Sequence, residues 1–347
     1  MHVLPNYERI LLLTEGHLGV FTSKTAAALL RYRADDVVAV IDSVAAGAAL
    51  SATIPWAPPV PILPRVLASK ELQPQALFIG VAPPGGRLPD SMRRHVLEAL
   101  QAGLDVVSGL HTWLEDDDEL VTVSQQTGAR ILDLRKPPED QILASGRAVT
   151  TRCRRVLTVG TDGNVGKMVA ALELTAAATR CGLRAEFLAT GQTGIMIDGR
   201  GVAIDALVSD FAPGATEALV LSAADADVCF VEGQGSLGHP GFSAVSLALL
   251  HGTCPDALIL VHHAGRTHYR VQPERRLPPL RELRAIYEQV ASLLHPARVV
   301  GVALNPFGQD SQSVQAEMRR IERELAVPVA DPASDGVEHL LAAAMTE

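Results

Sequence analysis

Short apolar runs recur along the chain, each closed by glycine or a polar residue and followed by a stretch with helical spacing. In the first half, Arg9 to Thr14, Val37 to Ile41, Ala76 to Val81, Asp105 to Ser108 and Gly128 to Leu134 are predicted strands. Ser23 to Leu30, with Ser23 as N-cap, and Ser91 to Ala102 are predicted helices between them. In the second half the strands are Val156 to Val159, Arg184 to Thr190, Asp227 to Val231, Ala257 to Val261 and Val299 to Leu304; the late helices lie around 317–325 and 337–344. Strands that alternate with helices give parallel sheets covered on both faces, so the fold class is α/β. The length of 347 residues suits two domains. The polar stretch that follows Pro137 and Pro138, up to about Arg152, reads as the linker.

The strand at Val156 runs into Gly160, Thr161, Asp162, Gly163, Asn164, Val165, Gly166 and Lys167, and then into a helix. This is G-x-x-x-x-G-K in a strand–turn–helix context. Glycines let successive N–H groups point inward, the helix N-terminus adds partial positive charge, and Lys167 adds a full one, so the natural guest is an anionic phosphate. One part is missing. The position after the lysine holds Met168 where a Ser or Thr hydroxyl would ligate Mg²⁺.

Other chemistry gathers at strand ends, where open α/β sheets place ligands. The strand Asp227 to Val231 delivers Glu232, followed by Gly233-Gln234-Gly235-Ser236; Glu232 is a candidate base or metal-associated carboxylate. His239 and His263 follow separate strands and are candidates for proton transfer. The turn Ala82-Pro83-Pro84-Gly85-Gly86 offers Arg87 to an anion, and the turn Gly191-Gln192-Thr193-Gly194 is small enough for close backbone approach to a ligand. Asp42 ends the second strand as a ribose-binding acid would, yet the preceding turn, Glu15 to Val20, lacks G-x-G-x-x-G spacing. Asp205 and Asp210 read equally as metal or substrate groups and as helix caps. The acidic run Glu115 to Glu119 reads as a solvated loop or helix start.

Composition narrows the class. Hydrophobic content of 48% with 20% charged residues describes a globular chain, and a net charge of −9 disfavours nucleic acid as partner. A small-molecule substrate is expected. There is no signal-like segment and no apolar run long enough to span a bilayer, which points to a cytoplasmic protein with no membrane partner. Cys153, Cys181, Cys229 and Cys254 form no C-x-x-C pair, so no metal site is expected from them. Sheets of this kind with exposed edges commonly dimerise, and a homo-oligomer is expected.

The loop GTDGNVGK (160–167) and VEGQGS (231–236) resemble dethiobiotin synthetase over the second half. A wider likeness covers nearly the whole chain. SKTAAALLRY, VVAVIDS, APPGGRLP, AGLDVVSGLH, LRKPP, GTDGNVGKM, ATGQTGIMI, VEGQGSLGHP, SLALLHGTCPDALIL and HHAGR are similar to successive motifs of a two-domain bacterial family whose members have been assigned as D-glutamate N-acetyltransferases. The resemblance implies a Rossmann-like domain over 1–145 and a P-loop NTPase-like domain over 152–347. It implies acetyl-CoA as co-substrate, an acidic amino acid as acceptor, Glu232 or His239 as base, and Ser236, Gly235 and Gly233 as oxyanion donors. Gln192 and Arg87, Arg200 or Arg266 would then bind substrate, the arginines at its carboxylates. The alternatives are an ATP-dependent ligase or kinase using ATP with Mg²⁺, and a nucleotide- or CoA-binding protein without turnover.

Overall fold

The computed structural model describes residues 1–82, 84–334 and 336–346; Pro83, in the turn before Arg87, lies outside the described residues. The chain forms two compact units. One holds His2–Pro137 and Ile195–Ala206, and the other holds Pro138–Gly194 and Leu207–Glu347 together with Met1. Sequence order and spatial order therefore part company at 195–206, which returns to the N-terminal unit.

That unit contains strands β1 (His2–Val3), β2 (Ile10–Leu13), β3 (Val37–Ile41), β4 (Ile62–Leu63), β5 (Ala76–Ile79), β6 (Asp105–Ser108) and β7 (Ile131–Asp133), with helices α1 (Lys24–Tyr32), α2 (Asp90–Gln101) and α3 (Asp118–Thr127). Six strands form one parallel sheet in the order β4-β3-β2-β5-β6-β7. The chain starts in the middle, builds one edge, then returns to build the other, which is the Rossmann order. Leu12 pairs with Val40 on one side and Phe78 on the other. Every residue of β2 is buried, as a central parallel strand requires, and each such leucine contributes about 1.5–3 kcal/mol.

Details of this sheet decide two expectations. Asp42 accepts hydrogen bonds from the Thr14 hydroxyl and the amides of Gly16, Val44 and Ala45. Those fill the roughly four lone-pair positions of a carboxylate, so Asp42 braces its own turn and leaves nothing for a ribose. The acidic run is a helix start: Asp117 caps α3 by accepting from the amides of Glu119 and Leu120, and Arg93 grips it through two nitrogens.

The second unit is built on β8 (Arg154–Gly160), α4 (Lys167–Arg180) and β9 (Ala185–Leu188); α5 (Gln192–Asp198) starts in it and belongs to the N-terminal unit from Ile195 on. After α5 the short β10 (Arg200–Gly201) pairs antiparallel with β1 in the N-terminal unit. The second unit resumes with α6 (Ala212–Leu221), β11 (Val228–Val231), α7 (Ser243–Thr253), β12 (Ala257–His263), α8 (Leu280–Ala291), β13 (Arg298–Asn305), α9 (Ser311–Leu325), β14 (Val329–Ala330) and α10 (Val337–Met345). Its sheet is parallel, in the order β14-β13-β12-β8-β11-β9. The chain leaves β8 toward one edge and later crosses to the other, so the end of β8 is a topological switch point.

The stretch read as a linker is held in place. Glu217 on α6 is buried and accepts from the Ser145 amide and hydroxyl and from the Arg147 amide and guanidinium. A buried carboxylate needs such donors, and the polar residues before β8 supply them. The turn expected at 191–194 is instead the first turn of α5. No helix among the described residues is long and apolar enough to cross a membrane.

Candidate active site

The glycine-rich loop leaves β8 and enters α4 with Asn164 at φ 52° and Gly166 at φ 108°, left-handed values that curl the backbone into a concave turn. Main-chain groups of the loop are tied on several sides. Thr161 N donates to Val261 O at 3.1 Å, Asn305 Nδ2 donates to Val165 O at 3.1 Å, and Tyr287 Oη donates to Gly160 O at 2.8 Å. Lys167 is buried, and its Nζ donates to Asp162 O at 2.8 Å, folding the ammonium over the loop. A Cβ on Gly160 would stand 2.7 Å from that Nζ, so only glycine leaves the ammonium its place.

Asp162 and Arg266 hold the outer side. Asp162 Oδ1 accepts from Gly163 N at 2.6 Å, while Oδ2 accepts from Arg270 N at 2.8 Å and Arg266 Nη1 at 3.2 Å. Arg266 also donates to Gly163 O at 3.0 Å. Burial lowers the Arg266 guanidinium from its ordinary pKa, against the pull of Asp162. The sequence offered Arg266 for a substrate carboxylate; the structure sets it against the loop itself.

Glu232 ends β11 beside the loop. The stem of Lys167 packs on Gly233, where a Cβ would meet Lys167 Cδ at 3.1 Å and Thr158 O at 1.6 Å. Glu232 Oε2 accepts from the amides of Thr190 and Gly191 at 3.0 and 3.1 Å, which fixes the carboxylate over the start of α5. Gln192 and Gly194 lie on that same turn, and a Cβ on Gly194 would reach 2.5 Å from Oε2.

Farther along, Ser236, His239 and Tyr269 are buried, and Ser236 Oγ, His239 Nε2 and Tyr269 Oη close no hydrogen bond among the described residues. Ser236 Oγ lies beside Tyr287 without bonding it. His239 Nδ1 accepts from Gly241 N at 3.0 Å, so in the neutral ring Nε2 carries the hydrogen and is a donor. Its ring stacks on Phe242 at 4.3 Å and meets Tyr269 edge-on at 5.1 Å. Phe242 reaches back to the loop, 4.0 Å from a Cβ on Gly163, and Tyr269 precedes Arg270, whose amide binds Asp162. Burial raises the Tyr269 hydroxyl, keeping it protonated and a donor.

Gly160 to Lys167, Glu232, Ser236, His239 and Arg266 thus meet in one unit. His263 does not join them through its ring: its Nδ1 faces Ala264 O at 2.9 Å, and burial lowers its pKa. The histidine bonded to the loop is His262. Arg87 and Arg200 lie in the N-terminal unit. Arg87 is exposed on a cleft of about 470 Å³ shared with Arg93 and Trp113, and Arg200 pairs with Asp198 at 3.3 Å. Among the described residues no group of three or more His, Cys, Asp or Glu side chains is placed to hold a metal ion. Tyr269 and Tyr287 escaped the sequence reading, and His262 was passed over for its neighbour His263 in HHAGR; a signal for Tyr269 was an aromatic residue in the arginine-rich stretch after β12.

Residues 142–341 match the family model described as a domain of unknown function (DUF1611_C), P-loop domain, and residues 43–137 match its partner (DUF1611_N), Rossmann-like domain. The chain belongs to the DUF1611 family. It is similar over its whole length to a DUF1611 family protein from Anabaena variabilis known by crystal structure: 43% identity, TM-score 0.93, covering 98% of this chain and 100% of that one. Two curated relatives are named D-glutamate N-acetyltransferase. That from Tritonibacter scottomollicae is 38% identical over 77% of this chain and 80% of its own length; that from a Pseudoalteromonas species is 37% identical over 80% and 83%.

Proposed function

We propose that this protein is an N-acetyltransferase that moves an acetyl group from acetyl-CoA to the amine of an acidic amino acid such as D-glutamate. The observation that carries the reading is a phosphate loop with no oxygen donor after its lysine, in the same unit as the buried, unpartnered polar atoms of Ser236, His239 and Tyr269, in a chain similar to relatives of that name. Met168 offers no ligand to magnesium, so this donor set suits a diphosphate ester better than a magnesium nucleotide.

Acetyl-CoA supplies the thioester and a diphosphate. The loop amides and Lys167 hold the diphosphate. Glu232 takes a proton from the substrate ammonium, and the freed amine forms the C–N bond as the C–S bond breaks and the thiolate leaves with a proton. His239 Nε2–H, Tyr269 Oη–H and Ser236 Oγ–H donate to the charge that grows on the acetyl oxygen. The neutral-ring tautomer at His239 makes it a donor in this scheme and leaves the base to Glu232. The enzyme works on small molecules in the cytoplasm, as a homo-oligomer.

Incubating purified protein with acetyl-CoA and a panel of D- and L-amino acids, and following free thiol, tests the reading. Thiol release with an acidic amino acid, without ADP formation when ATP is supplied, is expected. No release with any acidic amino acid overturns it.

A further inference from the structure

Thr161, the second residue of the loop, is fully buried, and its hydroxyl lies 2.9 Å from His262 Nδ1. Across the ring, His262 Nε2 faces Glu317 Oε1 at 3.5 Å. Glu317 Oε2 accepts from Gly265 N at 2.8 Å, and Arg320 stands 3.4 Å from Oε1. A carboxylate only accepts, so the hydrogen of the neutral ring sits on Nε2, and Nδ1 accepts from the Thr161 hydroxyl. A hydroxyl from the loop, an imidazole from β12 and a carboxylate from α9 therefore stand in line, and the acyl-transfer scheme uses none of them.

We propose that this line couples a proton to anion binding at the loop: binding of a diphosphate ester draws a proton onto His262. The inference rests on the reading of the loop as a diphosphate site. With a second proton, at Nδ1, the ring donates to Thr161 Oγ1. The hydroxyl hydrogen is then released to turn toward the loop, which gains a positive charge one hydrogen bond behind its amides. A diphosphate binds that form more tightly, and by linkage its binding takes up the proton.

The groups around His262 favour this. From α9 comes Glu317, with Arg320 behind it; from the same strand comes His263; and on the loop the Asp162–Arg266 pair sums to no net charge. Glu317 is the carboxylate facing the ring. His262 acts through Thr161 and is a positioning residue.

Calorimetric titration of CoA into the wild type, in buffers of different ionisation enthalpy across the imidazole range, reads the proton uptake. The same titrations on His262→Gln, Thr161→Val and Glu317→Gln, subtracted from the wild type, remove the ionisation of CoA itself. Wild type is expected to take up a proton that His262→Gln and Thr161→Val do not. Its CoA affinity is expected to fall about tenfold more than theirs from the acidic to the alkaline side. Glu317→Gln, which leaves the Thr161–His262 contact in place, is expected to keep the coupling. Should His262→Gln fail to fold, Thr161→Val decides in the same way, and Glu317→Gln, which keeps the uptake, serves as the control. Equal uptake in wild type and Thr161→Val overturns the inference and leaves the loop reading standing, whereas absence of CoA binding at every pH overturns both.

Discussion

Asp162 Oδ2 accepts from Arg266 Nη1 at 3.2 Å, and that pair ties the phosphate loop to the segment leaving β12. The same carboxylate collects the amides of Gly163 and Arg270, so it sets the shape of the loop as well as its charge. Asp162→Asn puts an amide hydrogen where one of these donors now points. It is expected to cost about 3 kcal/mol, as breaking a buried pair does. Combined with Arg266→Met, the loss is expected to fall short of the sum, because both changes break one contact. Denaturant titrations of the single and double variants measure this; strictly additive losses refute the coupling.

Glu232 is held by two amides and by the absence of a side chain at Gly194. Glu232→Gln keeps the shape and removes the base, so thiol release is expected to slow by about 10²-fold or more with CoA affinity unchanged. Gly194→Ala would push a methyl to 2.5 Å from Oε2, displacing the carboxylate without touching its chemistry. It is expected to lower the rate in the same way. Steady-state kinetics on both, beside CoA binding, checks the pair; a normal rate in Gly194→Ala means the carboxylate position does not matter.

Most strands of both sheets were legible because they are short apolar runs bounded by turn residues: ILLL at 10–13 and ALILV at 257–261 are strands in the structure, whereas the two-residue edge strands β4 and β14 went unread. The loop was legible because its chemistry is local, eight consecutive residues between a strand and a helix. The rest of the site was not local. Thr161 meets His262, and His262 meets Glu317, through the pairing of β8 with β12 and the packing of α9, which no spacing along the chain encodes. The choice between His262 and His263 depends on which neighbour turns inward at the end of one strand. Glu217 gave no sign that it would hold the segment before β8, since half of its partners are main-chain amides and all lie about seventy residues away in the chain.

That segment supplies a pH prediction. Burial alone would raise the Glu217 carboxyl, but the hydrogen bonds from Arg147 and Ser145 outweigh it and hold the group below its ordinary value of 4.5. As pH falls, the unfolded chain binds the proton first. The stabilisation is therefore complete above 4.5 and is lost as pH falls through the lower folded value. Glu217→Gln is expected to be less stable than wild type by about 2 kcal/mol at neutral pH, with the gap closing in acid. Urea unfolding at several pH values checks it; a gap that stays constant into acid removes Glu217 as the cause.

Tyr269 separates a catalytic hydroxyl from a structural one. Its Oη is buried, closes no hydrogen bond among the described residues and lies 2.5 Å from where a Cβ on Gly238 would stand. An unmet buried hydroxyl does not stabilise the fold, so removing it is expected to leave stability unchanged or slightly raised. If its purpose is to donate to the acetyl oxygen as charge develops, Tyr269→Phe loses that donor at the moment of reaction alone. The expected result is a fall in kcat of about 10²-fold, as for one oxyanion donor, with KM for the acceptor little changed and Tm at or above that of the wild type. A hydroxyl kept for packing would give the reverse, a lower Tm and an intact kcat. Ser236→Ala should follow Tyr269→Phe in kind, because its hydroxyl is also buried and unmet, whereas Tyr287→Phe should cost stability, since its Oη bonds Gly160 O and Leu237 N.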